Sequence, residues 1–320
     1  MKPPYEITGN ILKLITDISE KLGEVKAYYL DKPSPKLRKQ NKIKTIGSSL
    51  KIEGNTLSEE QITALSENKR IIGPKKDIKE VLNAINVYEK INTFSPYSIT
   101  SFKKAHKLLM AGLVKNAGKF RKESVGIIHG KEIAHIAPPY ENVPYLMNNL
   151  FKYIKNNDDP ILIKSCVFHY ETEFIHPFTD GNGRMGRLWQ TVILTDKYPV
   201  FEFLPFESLI SKTQKEYYKS LVLSDQKGDS TLFTEYLLNV IDSSLAELLK
   251  FNGKKLSAKE RLEYLRSIGI KEFSRKEYMN IFKNISTSTA SRDLKKGTES
   301  GILQSIGEKN KTKYILCDNG

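Results

Sequence analysis

Cysteine is nearly absent: the 320-residue chain has two, Cys166 and Cys317. Far apart and without metal-ligand spacing, they exclude a disulfide framework and a cysteine-based zinc site. Long apolar runs are missing as well, and none approaches the ~20 residues needed to cross a bilayer. The opening residues, Met1-Lys2-Pro3-Pro4-Tyr5-Glu6, lack the apolar stretch of a secretory signal. No membrane partner is expected, and the expected location is cytoplasmic. There is no Gly-x-x-x-x-Gly-Lys-Ser/Thr phosphate loop. Acidic residues are in deficit, with 37 Asp and Glu against 51 Lys and Arg and a net charge of +14. Such an excess favours nucleic acid or other acidic partners, and serves solubility and phosphate binding equally well.

What is present is a soluble, mostly helical pattern. Hydrophobic residues make up 39% and charged residues 28%, and the length allows two domains with a sizeable core. Apolar residues Ile7, Ile11, Leu12, Leu14, Ile15 and Ile18 follow the helical period over 7–28. Pro33 and Pro35 interrupt that pattern. A second helix, with Ile43, Ile46 and Leu50 on one side, closes at Gly54. Asp77 and Glu80 read as a capping box for a helix with Ile78, Val81, Leu82 and Ile85 inward. A helix over about 98–110 buries Phe102, Ala105 and Leu109, and His106 is expected as a hydrogen-bonded core histidine. Val125, Ile127, Ile133 and Ile136 around His129-Gly130-Lys131 read as a β-hairpin, ended by Pro138-Pro139. Helices are expected at about 143–155, 160–174, 208–224 and 230–250.

Between two of those helices stands His176-Pro177-Phe178-Thr179-Asp180-Gly181-Asn182-Gly183-Arg184-Met185-Gly186-Arg187. The turn opens a helix, whose first N–H groups lack intrahelical partners and whose dipole is positive, a natural anion site. Arg184 and Arg187, three apart, share one face of the first turn. Guanidinium forks match phosphate oxygens better than ammonium charges do. Asp180 suits Mg²⁺, which takes one or two carboxylates and shares substrate phosphates. His176 is placed to accept a proton. The stretch reads as a nucleotide phosphate site with its own general base.

These residues resemble the signature of the Fic family, His-x-Phe-x-Asp/Glu-Gly-Asn-Gly-Arg-x-x-Arg, at every specified position. The resemblance implies a mainly α fold, a Fic-type helical bundle with a β-hairpin flap, and protein adenylyltransferase activity that moves AMP from ATP to a Ser, Thr or Tyr hydroxyl of a target protein, the chain itself included. It implies His176 as general base, Asp180 as the Mg²⁺ ligand, Gly181, Asn182 and Gly183 on the α-phosphate, and Arg184 and Arg187 on the β- and γ-phosphates. Phe178 would anchor the loop in the core. The hairpin at 124–137 matches the family flap, so Ile133, Ala134, His135 and Ile136 would line the nucleotide and target groove, holding the target by strand pairing. Tyr217 and Tyr218 resemble the tyrosine pair at the adenosine end. Ser49-Leu50-Lys51-Ile52-Glu53-Gly54 resembles the family's inhibitory helix, about 41–54, in which the Glu pairs with the second motif arginine, here Arg187. A carboxylate in a last helical turn faces the negative dipole end and needs a compensating partner.

Phe251-Asn252-Gly253-Lys254-Lys255 reads as a domain boundary. The expected division is an N-terminal region over 1–95, a Fic catalytic domain over 96–250 and a third part over 251–320. In that part three helical patterns, around Leu262, Leu265 and Ile268, Tyr278 and Ile281, and Ala290 to Leu294, precede two short strands. This order resembles a winged helix-turn-helix. The segment carries 15 Lys and Arg against 8 Asp and Glu, half of the excess charge. DNA is the partner such a module would take, with Ser288, Ser291, Arg292 and Lys295 exposed on its third helix; protein contacts, including a homodimer, are the competing use. Two further functions stand beside AMP transfer: AMP removal with Glu53 aligning a water, and a DNA-binding regulator whose Fic part senses nucleotide.

Overall fold

A computed structural model describes residues 2–29, 35–129, 132–252, 257–267, 270–282, 285–307 and 312–317; side chains at 26–29, 35–36, 126–129, 132–136, 250–252 and 267 are outside the description. The chain divides into two compact units, one of residues 1–32 and 38–249, the other of 33–37 and 250–320. No helix among the described residues is long and apolar enough to cross a membrane.

The first unit runs α1 (Gly9–Tyr29), α2 (Pro35–Ile52), α3 (Glu59–Ser66), α4 (Lys75–Glu89), α5 (Ile99–Leu109), β1 (Gly126–His129), β2 (Glu132–Ile136), α6 (Val143–Asn156), α7 (Ile161–Ile175), α8 (Asn182–Lys197), α9 (Glu207–Lys212), α10 (Gln214–Lys227) and α11 (Thr231–Asn252). Helices α7 and α8 form its centre. Ten of the first fourteen residues of α7, from Ile161 to Phe174, are buried, and α8 buries Met185, Leu188, Trp189, Val192, Ile193 and Leu194. A helix apolar around most of its circumference belongs inside a protein. Phe102 of α5 meets Phe151, Phe168, Phe178 and Trp189 with centroids 5.1–5.9 Å apart. Truncating one such ring to Ala costs about 3–5 kcal/mol.

Three local expectations give way to packing. Helix α4 starts at Pro74 without a side-chain cap. Asp77 instead accepts from Thr56 N (2.8 Å) and Thr56 Oγ1 (2.6 Å), and Glu80 is committed elsewhere. A capping box forms instead at Ser58 and Gln61, opening α3. The inward face of α4 includes polar Glu80 and Asn83, so Leu82 turns outward, 43% exposed. The expected helix over 208–224 is broken at Thr213, whose hydroxyl donates to Leu209 O at 2.8 Å and meets Tyr236 OH. Back-bonding of this kind bends or ends helices. Residues 31–34, the hairpin turn 130–131 and the linker 253–256, with Ile268, lie outside the described residues.

Glu207, at the start of α9, is fully buried, with Oε2 lacking a hydrogen-bond partner. Burial pushes its carboxyl up to about 8. Because the folded value lies above the unfolded one, the folded protein holds an extra proton between roughly pH 4.5 and 8. Stability from this group therefore falls as pH rises through that window. Glu207→Gln should stabilise the protein at pH 8.5 by a few kcal/mol and change little at pH 4.5. Thermal unfolding at both pH values checks this; equal shifts would contradict it.

The second unit contains α12 (Ala258–Ser267), β3 (Glu272–Ser274), α13 (Arg275–Ile281), α14 (Thr287–Glu299), β4 (Leu303–Ile306) and β5 (Lys313–Leu316). Its antiparallel sheet has the order β3-β5-β4. Strand β3 is an addition to the sequence expectation: three residues, with only Phe273 buried, leave almost no alternating pattern. Leu262, Leu265, Phe273, Tyr278, Ala290, Leu294, Leu303 and Leu316 form a separate core.

Candidate active site

Helix α7 ends at His176, which adopts left-handed backbone geometry (φ 50°, ψ 59°) and donates its N–H to Thr172 O. Non-glycine residues rarely sit there, and such strain clusters at functional positions. Arg121 holds the turn: its Nε donates to His176 O at 2.8 Å, and its guanidinium also donates to Ile175 O, Glu123 O and Pro138 O. The arginine thus ties the His loop to both ends of the β1–β2 hairpin.

The loop that follows is self-bracing. Asn182 accepts from Phe178 N and donates to Phe178 O, both at 2.9 Å, so its amide closes a ring across 178–182. Phe178 is fully buried and stacks on His106 with centroids 3.6 Å apart. Gly118 N–H donates to His106 Nδ1 at 2.7 Å, which leaves Nε2 as the protonated nitrogen, donating to Asp180 O at 2.9 Å. Burial lowers His106 to about 4, so it stays neutral. Gly181 takes φ 85°, and a Cβ there would meet Met110 Sδ at 2.8 Å. Asp180 Oδ1 accepts from Gly181 N (2.6 Å) and Arg184 Nη2 (3.1 Å), with half of its side chain exposed. The first helical bond of α8 is Met185 N to Gly181 O, so residues 182–184 present their N–H groups at the helix end. Gly181, Gly183 and Gly186 repeat a Gly-x-Gly-x-x-Gly spacing, but here the loop follows helix α7 and not the strand a dinucleotide fold requires.

Glu53, just past the end of α2, reaches this helix end. Arg187 is fully buried and donates from Nη2 to Glu53 Oε1 at 2.7 Å, and from Nε and Nη2 to Ser49 Oγ and O at 3.0 Å. Its Nη1 has no hydrogen-bond partner. A Cβ on Gly183 would lie 2.6 Å from Glu53 Oε1 and 3.2 Å from Arg187 Nη1. The carboxylate therefore occupies the anion position over the first turn of α8. Burial alone would raise its pKa, but the charge and hydrogen bond of Arg187 outweigh that and hold it below the ordinary carboxylate value. Gln214 of α10 pins the same segment by donating to Ile52 O at 2.9 Å.

His176, Asp180, Gly181, Asn182, Gly183 and Arg187 line one cavity with Glu53. Tyr217, Tyr218, Leu221, Val222 and Asp225 of α10 line it too. Arg184 does not. It is 5% exposed, and donates to Glu80 Oε1 of α4 at 3.1 Å as well as to Asp180. Tyr217 is buried, with its hydroxyl 3.2 Å from Glu173 Oε1 and 3.1 Å from His169 Nε2. Tyr218 is partly buried. The side chains of Ile133, Ala134, His135 and Ile136 lie outside the described residues; their strand pairs with β1 with an irregularity between Ile127 and Ile128.

Several participants carry little local sequence signal. Glu80 bridges Arg184 and Asn55 Nδ2 (2.9 Å), joining the motif to the residue two after Glu53. Glu173 lines the cavity beside Arg187, and burial raises it to about 7 against that positive charge. Only an acidic residue at such a mostly apolar helix end, three before His176, hinted at it.

A carboxylate paired with a buried arginine thus lies over the N-terminus of α8, beside His176 and an aromatic-lined cavity. Residues 96–194 match the model of the Fic/DOC family. A Fic family protein of Desulfovibrio desulfuricans is similar over the full length, at 36% identity, covering 100% of this chain and 99% of that one with a TM-score of 0.78. The chain belongs to the Fic family. Among curated relatives, protein adenylyltransferase fic-1 of Caenorhabditis briggsae is 31% identical over 206 residues, 61% of this chain and 38% of that protein. A probable protein adenylyltransferase of Aquifex aeolicus is 37% identical over 82 residues, 25% of each chain. The chain spans less than half the length of these curated relatives. A Fic-1 fragment of Caenorhabditis elegans shares the fold at 20% identity, covering 75% of this chain and 72% of that one with a TM-score of 0.61.

Proposed function

We propose that this protein transfers AMP from ATP to a Ser, Thr or Tyr hydroxyl of a protein, and that Glu53 holds it in an inhibited state. One observation carries the reading: Glu53 sits on Arg187 at the N-terminus of α8, in the cavity that His176 and Asp180 line. A carboxylate and a phosphate compete for the same donors, and Nη1 of Arg187 is a buried donor still to be satisfied. With Glu53 displaced, Arg187 would take the γ-phosphate, and the N–H groups of Asn182 and Gly183 the charge developing on the α-phosphate. The Gly181 N–H, bonded to Asp180, would join them on release. Arg184 would keep Glu80 and turn its second nitrogen from Asp180 to the β-phosphate. Tyr217 and Tyr218 would flank the adenosine, and the strand at Ile133–Ile136 would pair with the target segment.

His176 Nδ1 lies 3.4 Å from Glu173 O. A proton on Nδ1 leaves Nε2 as the basic nitrogen. The target oxygen would bond to the α-phosphorus as its proton passes to Nε2. The bond from that phosphorus to the bridging oxygen would break, and pyrophosphate would leave. General-base help of this kind contributes roughly 10²–10⁴ in rate. Asp180, a half-exposed carboxylate at the loop, fits Mg²⁺, which needs one or two carboxylates and otherwise takes phosphates and water; when bound, it would offset phosphate charge.

The position of the transferred label tests the reaction class. With Glu53→Gly protein, ATP labelled at the α-phosphorus should leave label on protein, and ATP labelled at the γ-phosphorus should leave none. Label from the γ-phosphorus would make the site a kinase and overturn the proposal.

A further inference from the structure

We propose that the second unit binds duplex DNA through the exposed face of α14, a function separate from the nucleotide site. The buried face of α14 is Ala290, Asp293, Leu294 and Gly297. The opposite stripe carries Ser288, Arg292 and Lys295, exposed, with Ser291 beside it and Lys296 adjoining. Arg275 and Lys276 at the start of α13 are exposed too, and Arg275 Nη1 reaches Ser291 Oγ at 3.3 Å, so α13 adds its positive charge to the same surface. The acids of α14 are disposed away from that surface's leading end. Asp293 is 3% exposed and consumed by Arg261 (2.7 Å) and Tyr278 OH (3.1 Å). Glu299 lies at the far C-terminus, 3.8 Å from Lys295.

Three properties of this face fit a DNA groove. First, its leading turn, Ser286 to Thr289, is small and hydroxyl-bearing, so the helix end can approach a nucleic-acid backbone closely. In helix-turn-helix proteins the N-terminal part of the second helix of the motif contacts base edges. Second, the ion pair of Arg261 with Asp293 fixes α14 against α12 from within, which makes the helix a rigid reader. A buried ion pair is weak evidence of stability, and the use inferred for this one is to orient α14. Third, the residue types match their tasks: Arg suits the O6 and N7 of guanine, and lysines suit phosphates. The excess of positive charge over 251–320 supplies the electrostatic complement of a polyanion.

The test uses the full-length protein and fluorescent 20-base-pair duplexes of randomised sequence. Affinity should fall about a hundred-fold between 50 and 200 mM NaCl if some four phosphates are contacted. Removing Arg292, Lys295 and Lys296 together, as R292S/K295S/K296S, should weaken binding at least ~10-fold and flatten the salt slope by about two. K13S/K152S/K155S takes the same charge from exposed positions of the first unit and should leave both unchanged. Arg292→Lys should keep the slope and lose whatever sequence preference selection from the pool reveals. No binding at 50 mM, equal weakening by both triple variants, or tighter binding to an RNA hairpin than to DNA would overturn the proposal.

Discussion

Glu53→Gly should raise the rate of AMP incorporation by up to about two orders of magnitude. The argument rests on what the carboxylate occupies. Arg187 is wholly buried, and its Nη2 contact to Glu53 is 2.7 Å long. Glu53 Oε1 fills the space over Gly183, 2.6 Å from where a Cβ would stand, which is where the proposed reaction would place a phosphate. If the blocked arrangement is favoured by about 2.7 kcal/mol, ~1% of molecules are competent, and abolishing the block recovers the remainder. Glu53→Gln, which keeps the bulk and loses the charge, should fall between wild type and Glu53→Gly. The depressed pKa of Glu53 sets the pH window: the pair is intact at neutral pH and is lost only as pH falls through a value below the ordinary carboxylate range. Initial rates at saturating ATP measure the effect, and equal rates for wild type and Glu53→Gly would remove the inhibitory role.

Arg187→Met should abolish transfer and destabilise the first unit together. Arginines acting on phosphoryl transition states are worth about 10³–10⁵ in rate. In the folded protein the same side chain satisfies Ser49 and Glu53 and lies near Glu173. Stranding one member of a buried ion pair costs roughly 3–5 kcal/mol, and the 28% exposure of Glu53 places this case toward the lower end. The double variant Glu53→Gly/Arg187→Met separates the two effects. It should regain much of the stability, because no carboxylate is stranded at the end of α2, and none of the activity. Thermal unfolding and AMP incorporation read the two effects. Recovery of activity in the double variant would mean that Arg187 serves only to hold Glu53.

What was legible in the chain was local. Residues 176–187 place a histidine, an aspartate, a glycine turn and two arginines within one loop and one helical turn, and their chemistry requires no knowledge of the rest. Ser49 to Gly54 was legible as a helix end with an ill-placed carboxylate, although it stands 134 residues from its arginine. Contacts made by chain folding were not legible. Glu80 looked like a helix cap because it follows Asp77 by three, yet its partners are Asn55 and Arg184, 25 and 104 residues away. Arg121, in a loop with no pattern, binds carbonyl oxygens of the His turn and of both hairpin flanks. Apolar periodicity places Leu82 inward because it ignores polar residues, here Glu80 and Asn83, that turn inward to serve a site. The break at Thr213 depends on Tyr236, from another helix.

Transfer of α-labelled AMP to protein is the measurement nearest the central claim. Wild type, Glu53→Gly and Glu53→Gly/His176→Ala are each incubated with ATP and Mg²⁺, with the chain itself and a whole-cell lysate as acceptors. Strong labelling by Glu53→Gly, about 1% of it by wild type and none by the double variant is the predicted result. Equal labelling by wild type and Glu53→Gly, or labelling that survives the loss of His176, would contradict the account.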